Sequence, residues 1–268
     1  MSQRSMWLSQ LLAFVALLGC STNPASKSSA GIAREVRIAA ASDLKFALEE
    51  LAAQFEKQHP GIKLNPTFGS SGNFYAQLAN KAPFDVFLSA DIGFPRKLIE
   101  EGHASKDSEF LYAVGHLVVW APNDSKLDVE KLGLEALADP SVKKVAIANP
   151  KTAPYGRAAE AALKSQGVYD RVRDRLVLGE NIAQTAQWVE TGAADVGVIA
   201  LSLALAPAMR DNGRSWPVPT SAHPPLEQGG VILNWAQDRE AADTFRKFLT
   251  SDSARATLKR YGFVLPEE

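Results

Sequence analysis

From Val36 almost to the end of the chain, short apolar runs alternate with amphipathic helical stretches, and no other feature narrows the fold as much. Residues 36–41 read as a buried strand. Leu44, Ala47, Leu48, Leu51, Ala52 and Phe55 then recur at helical spacing. His59-Pro60-Gly61 ends that helix, because proline cannot continue it and glycine permits the turn. Residues 62–68 form a second strand, in which Pro66 marks an edge or irregular position. A short helix at 73–81, a strand at 86–89 and a helix around 95–101 follow. Strand–helix repetition of this kind predicts a parallel sheet with helices on its faces.

The middle of the chain repeats the logic. Strands are expected at 116–121, 145–148, 176–178 and 196–200, with a helix at 158–165. A second helix opens at Asn181-Ile182-Ala183-Gln184, a capping box with Asn181 as N-cap, and runs to Thr191-Gly192. A last strand at 230–233 and helices at 239–249 and 251–261 close the chain. Pro217, Pro219, Pro224 and Pro225 stiffen the approach to that last strand. That stretch and the region near 114–122 read as two crossings between lobes. The expected fold is therefore α/β with two lobes, each a mainly parallel sheet flanked by helices. Lobe I comprises residues 35–115 and 224–268, and lobe II residues 116–223.

At 268 residues the chain is long enough for such a pair of lobes. A net charge of -1 gives no sign of nucleic-acid binding, and no basic run suggests a polybasic membrane patch. The first residues differ in kind. Arg4 precedes a mostly apolar run from Met6 to Leu18, which suits a signal peptide over residues 1–19. Leu17-Leu18-Gly19-Cys20 resembles the lipobox of bacterial lipoproteins, which implies a lipidated Cys20 as the mature N-terminus. Residues 20–34 then form a polar, flexible tether. Cys20 is the only cysteine, so no intrachain disulfide can form.

Four helix starts stand out: Ser42, Ser71, the Tyr155-Gly156 segment and Ile182. In an open α/β sheet, ligands bind beyond the carboxyl ends of the strands, where these loops fall. First-turn amides are unpaired and carry partial positive charge, so several aimed at one cleft make an anion site without lysine or arginine. Pro154 suits the first helical position, and Gly69 and Gly72 let backbone approach a ligand. The plainer reading is that a serine at a helix start merely caps it. His59, His103, His116 and His223 have no metal-ligand spacing, and no G-x-S-x-G, Walker A or H-E-x-x-H motif occurs. Asp85 and Asp91, which flank one strand, read as caps or lobe-crossing contacts rather than an acid–base pair. Residues 171–175 read as a solvated charged face, and Trp120, Trp188, Trp216 and Trp235 as core or lobe-surface residues.

Ala39-Ala40-Ala41-Ser42-Asp43-Leu44 followed by Phe68-Gly69-Ser70-Ser71-Gly72 resembles the periplasmic molybdate-binding proteins, a family with the type II periplasmic-binding-protein fold. The segments Asp85-Val86-Phe87-Leu88-Ser89-Ala90-Asp91, Asn149-Pro150, Pro154-Tyr155-Gly156, Glu180-Asn181-Ile182 and Arg260-Tyr261-Gly262-Phe263 extend the resemblance over residues 35–265. It implies a monomeric receptor without enzymatic activity or cofactor that holds molybdate or tungstate in the cleft between its lobes and hands it to an ABC permease. By position, Ser42 and Ser71 supply hydroxyls, and Tyr155 and Ile182 supply backbone N–H groups. Asp43 is expected to turn its carboxylate away, toward the first turn of its own helix. The family's tyrosine contact in the segment 196–202 is replaced here by Ala200, which implies either a site with fewer contacts or compensation by Tyr155 or Asn73. A receptor for sulfate or phosphate, or a secreted hydrolase with Ser42 or Ser71 as nucleophile, are the competing readings.

Overall fold

The computed structural model describes residues 34–266, which belong to one compact unit. The expected signal peptide, Cys20 and nearly all of the tether lie outside the described residues. Arg34, expected to end the tether, is instead the first residue of a strand, and its guanidinium pairs with Asp238 at 2.5 Å.

Ten strands form two five-stranded sheets. The first contains β1 (Arg34–Ala41), β2 (Ile62–Gly69), β3 (Val86–Ser89), β4 (Phe110–Gly115) and β10 (Leu226–Ile232) in the order β2-β1-β3-β10-β4. The second contains β5 (Leu117–Pro122), β6 (Val145–Ala148), β7 (Leu176–Gly179), β8 (Val196–Ala200) and β9 (Gly213–Pro217) in the order β7-β6-β8-β5-β9. Pro66 sits on β2, an edge strand, where its missing N–H costs no ladder bond. Each sheet has two parallel and two antiparallel pairings. Only β10 in the first sheet and β5 in the second run against their neighbours, and each of these strands directly follows a crossing between the sheets.

Seven helices of eight residues or more flank the sheets among the described residues. They are α1 (Lys45–Gln58), α2 (Ser71–Ala79), α3 (Gly93–Glu100), α4 (Pro154–Ser165), α5 (Ile182–Glu190), α6 (Arg239–Leu249) and α7 (Asp252–Arg260). The apolar stripe of α1 is buried through Ala47, Leu48, Leu51 and Phe55. Phe55 meets Phe245 and Phe248 of α6 edge-on, with ring centroids 5.7 and 5.3 Å apart. Burying one such ring contributes about 1.5–3 kcal/mol. Gly61 takes φ +102°, the left-handed region that lets the chain turn from α1 into β2. The second sheet has its own core around Trp120, which is fully buried.

Two strands escape the sequence reading. β4 lies at a sheet edge and leaves Leu111 exposed, which blurs its alternation. β9 (Gly-Arg-Ser-Trp-Pro) is an edge strand held by backbone pairing to β5 rather than by apolar side chains. β10 starts at Leu226, four residues before the expected 230, and its register slips between Gln228 and Gly229. No helix of the described residues is long and apolar enough to cross a membrane.

Candidate functional site

The loops after β1, β2 and β3 on one sheet and after β6, β7 and β8 on the other carry the candidate residues. Neither serine is a side-chain cap. Ser42 opens a 3-10 turn, Ser42–Leu44, whose N-cap is Ala41. Ser71 is the first residue of α2, and Ser70 is the cap, accepting the Asn73 N–H at 3.3 Å. Both candidate hydroxyls are thereby released from the capping role expected of them. Asn181 does cap α5, accepting the Gln184 N–H at 3.0 Å. Gln184 reaches back to the N–H of Glu180 at 2.8 Å, one residue before the expected reciprocal partner.

Ser42, Ser71, Tyr155 and Ile182, together with Asp43, all line one small cavity of about 10 Å³, and all five are buried. No lysine, arginine or histidine is among its lining residues. Pro154 and Tyr155 are the first two residues of α4, and Ile182 is the first of α5. A helix supplies no internal acceptor to amides at these positions, so the N–H groups of Tyr155 and Ile182 can donate to a ligand. The two hydroxyls differ. Ser42 Oγ donates to Asn181 Oδ1 at 3.1 Å and accepts the Ala183 N–H at 3.3 Å, so it joins the two sheets' loops directly. Ser71 Oγ accepts the Ala90 N–H at 3.0 Å, and its own proton has no acceptor among the described residues.

The loops are locked together around this cavity. Thr152 O accepts the Gly72 N–H at 2.9 Å and the Ser70 hydroxyl at 3.2 Å. A Cβ at Gly72 would lie 2.6 Å from that carbonyl oxygen, so only glycine permits the approach. Arg157 pairs with Asp91 at 2.6 Å across the same junction between the two sheets' loops, and Asp91 also accepts the Gly93 N–H at 2.8 Å at the start of α3. Asp85 instead binds within its own sheet, to the Arg37 guanidinium at 2.8 Å and to the N–H groups of Arg37 and Gln237. Burial pushes its carboxyl up, but these donors outweigh burial and hold it below the usual carboxylate range.

Asp43 meets its expectation only in part. The N–H groups of Asp43 and Leu44 in its own turn do favour its carboxylate, but Oδ2 also accepts the Tyr155 hydroxyl at 3.0 Å and Gln228 Nε2 at 2.5 Å, from α4 and β10. Oδ1 is buried with no partner. Burial pushes the carboxyl up to about 6, against the opposing effect of the Gln228 and Tyr155 hydrogen bonds. Tyr112 donates from β4 to Gln228 Oε1 at 3.1 Å. With its hydroxyl held by Asp43, Tyr155 has none to offer in place of the tyrosine missing at Ala200, which is itself buried at the end of β8. Asn73 lies in a neighbouring polar recess beside Glu180 and Asn181, outside the residues lining the cavity. Gln228 and Tyr112 escape sequence reading. The available signal for Gln228 is a polar residue before Gly229-Gly230 in an apolar strand, a pattern typical of a bulge that re-aims a side chain.

Among the described residues no group of three or more His, Cys, Asp or Glu could hold a metal ion. Residues 36–264 match the family described as bacterial extracellular solute-binding protein. The molybdate-binding protein ModA of Azotobacter vinelandii is 40% identical over 233 residues, covering 87% of this chain and 91% of that protein. A Bacillus subtilis protein described as a putative ABC transporter substrate-binding lipoprotein is 28% identical over 262 residues, covering 97% of each chain. The solved structure of an Azotobacter vinelandii periplasmic molybdate-binding protein superposes with a TM-score of 0.81 at 34% identity, covering 87% of this chain and 100% of that one.

Proposed function

The chain belongs to the bacterial extracellular solute-binding protein family, and on that premise we propose that it captures molybdate, with tungstate taken by the same cavity, for delivery to an ABC permease. It is a receptor rather than an enzyme, like the relatives it matches. One observation carries the ligand reading: four neutral donors, from loops of both sheets, line a single buried cavity that has no cation. In this reading Ser42 and Ser71 donate hydroxyl protons, and Tyr155 and Ile182 donate N–H groups, to the oxygens of a tetrahedral anion. Each such bond to a charged acceptor is worth about 1.5–3 kcal/mol. Because the donors come from two lobes, residues 35–115 with 224–268 and residues 116–223, binding and closure are coupled.

The protein works as a monomer outside the cytoplasm. Lipidation at Cys20 and the tether that precedes β1 hold it near the membrane, a reading supported by the lipoprotein description of the Bacillus subtilis relative. Only this anchor touches the membrane, and nucleic acid is not a partner. Calorimetric titration with molybdate, tungstate, sulfate and phosphate tests the ligand. Heat with the first two and none with the others is expected, and heat with sulfate or phosphate alone overturns the reading in favour of another oxyanion receptor.

A further inference from the structure

We propose that Asp43 is a positioning residue that latches the two sheets together in its protonated form, so that closing the cavity on an oxyanion takes up one proton at this carboxyl. The inference rests on the molybdate reading above and adds to it a mode of regulation.

The geometry places the carboxyl where the two sheets meet. Tyr155 belongs to α4, on the second sheet, and Gln228 to β10 of the first, and both donate to the same oxygen of Asp43. A Cβ at Gly115, which ends β4 at the first crossing, would lie 2.1 Å from the Tyr155 hydroxyl and 2.7 Å from Gln228 Nε2, so the latch is packed against that crossing. The groups facing Asp43 are all uncharged. Gln228 is neutral, and Ser202 donates to the Asp43 backbone carbonyl at 2.8 Å. Tyr112 and Tyr155 are the titratable neighbours, and burial, aided by the Asp43 charge, pushes both hydroxyls well above their ordinary range, which keeps them protonated.

An ionised carboxylate in this setting is poorly compensated. It is 1% exposed, it has no cation among its partners, and Oδ1 has no hydrogen bond at all. A dianion held at Ser42, the adjacent residue, adds like charge to the same space and disfavours ionisation further. A proton on Oδ1 removes the charge and leaves Oδ2 free to accept from Tyr155 and Gln228. Opening the lobes withdraws Tyr155 and admits water, which returns the carboxyl toward its ordinary value of about 3.9.

The sign of the linkage follows. The group holds its proton more tightly in the closed state, so affinity is greatest at low pH and falls as pH rises through the closed-state value. With that value at about 6 and the open one at about 3.9, affinity falls about tenfold between pH 5 and pH 8, and binding at pH 6 takes up about half a proton. The test is calorimetry with sodium molybdate across this range, in buffers of differing ionisation heat, on the wild-type protein and Asp43→Asn. The wild type is expected to show proton uptake and the slope, and the variant to bind with neither. Wild type and variant with equal slopes, or proton uptake that persists in the variant, overturn the proposal. Wild type that binds no molybdate at any pH overturns the functional reading and this inference with it. Should Asp43→Asn not fold, Tyr155→Phe removes a donor that favours the ionised form. The fall in affinity must then move to higher pH, and an unmoved profile counts against the latch.

Discussion

The two serines that face the cavity are not equivalent, and the difference is measurable. Ser71 Oγ already accepts the Ala90 N–H but has no acceptor for its proton. An oxyanion therefore gains the whole charge-assisted bond, about 1.5–3 kcal/mol, and Ser71→Ala should raise Kd by about 10- to 150-fold. Ser42 must first give up its bond to Asn181 Oδ1. A neutral hydrogen bond is worth about 0.5–1.5 kcal/mol, so the net gain is about 1–1.5 kcal/mol and Ser42→Ala should cost only about 5- to 10-fold. Calorimetric titration of both single variants with molybdate measures the pair directly. Removing Ser71 Oγ also orphans the buried Ala90 N–H, at a cost of about 1–3 kcal/mol in stability, so thermal unfolding must confirm that the variant is folded at the titration temperature. If Ser42→Ala weakens binding as much as Ser71→Ala, the argument from pre-existing partners is wrong. If both bind like wild type, the anion sits elsewhere.

The ion pair between Asp91 and Arg157 joins the two sheets but is partly exposed, so Arg157→Ala should raise Kd no more than about threefold at low salt and not at all in 1 M salt. Asp85→Asn breaks a pair buried on the carboxylate side and should cost about 3 kcal/mol at pH 7 by urea unfolding. Because the native carboxyl lies below its unfolded value, that stabilisation is complete above about pH 4 and disappears as pH falls through the native value, so the acid limb of stability should flatten in this variant. Gly156→Ala would set a Cβ 2.2 Å from the Ala148 carbonyl oxygen; it should destabilise by about 1–3 kcal/mol and weaken molybdate binding by displacing the Tyr155 amide, checked by melting and titration together.

Much of this architecture is legible in the residues because burial and period coincide. β3, β6 and β8 are short apolar runs with every residue buried, β1 is buried from Ile38 to Ala41, and α1 shows its stripe plainly. The helix starts are marked by serine, proline and asparagine after those runs, so Ser42, Ser71, Tyr155 and Ile182 could be singled out before any coordinates. β4 and β9 are not legible, since the exposed Leu111 breaks the pattern of β4 and β9 depends on backbone pairing to β5, a neighbour that sequence order does not identify. The partners of Asp43 are hidden for a similar reason. Tyr155 and Gln228 lie 112 and 185 residues away, and only the crossings bring them to one carboxyl.

The crossings also bear on how the chain could have been assembled and how it could be rebuilt. Leu226 lies opposite Gly115 on paired strands, and Pro217 lies opposite Val118 on another pair, so the polypeptide leaves the first sheet and returns to it at nearly the same place. The whole second sheet is in this sense a single insertion at one hairpin. Exchanging the stretch between these positions with that of a relative would preserve the strand order of both sheets. The same two seams are the natural points at which to graft a fluorescent reporter that registers the angle between the halves.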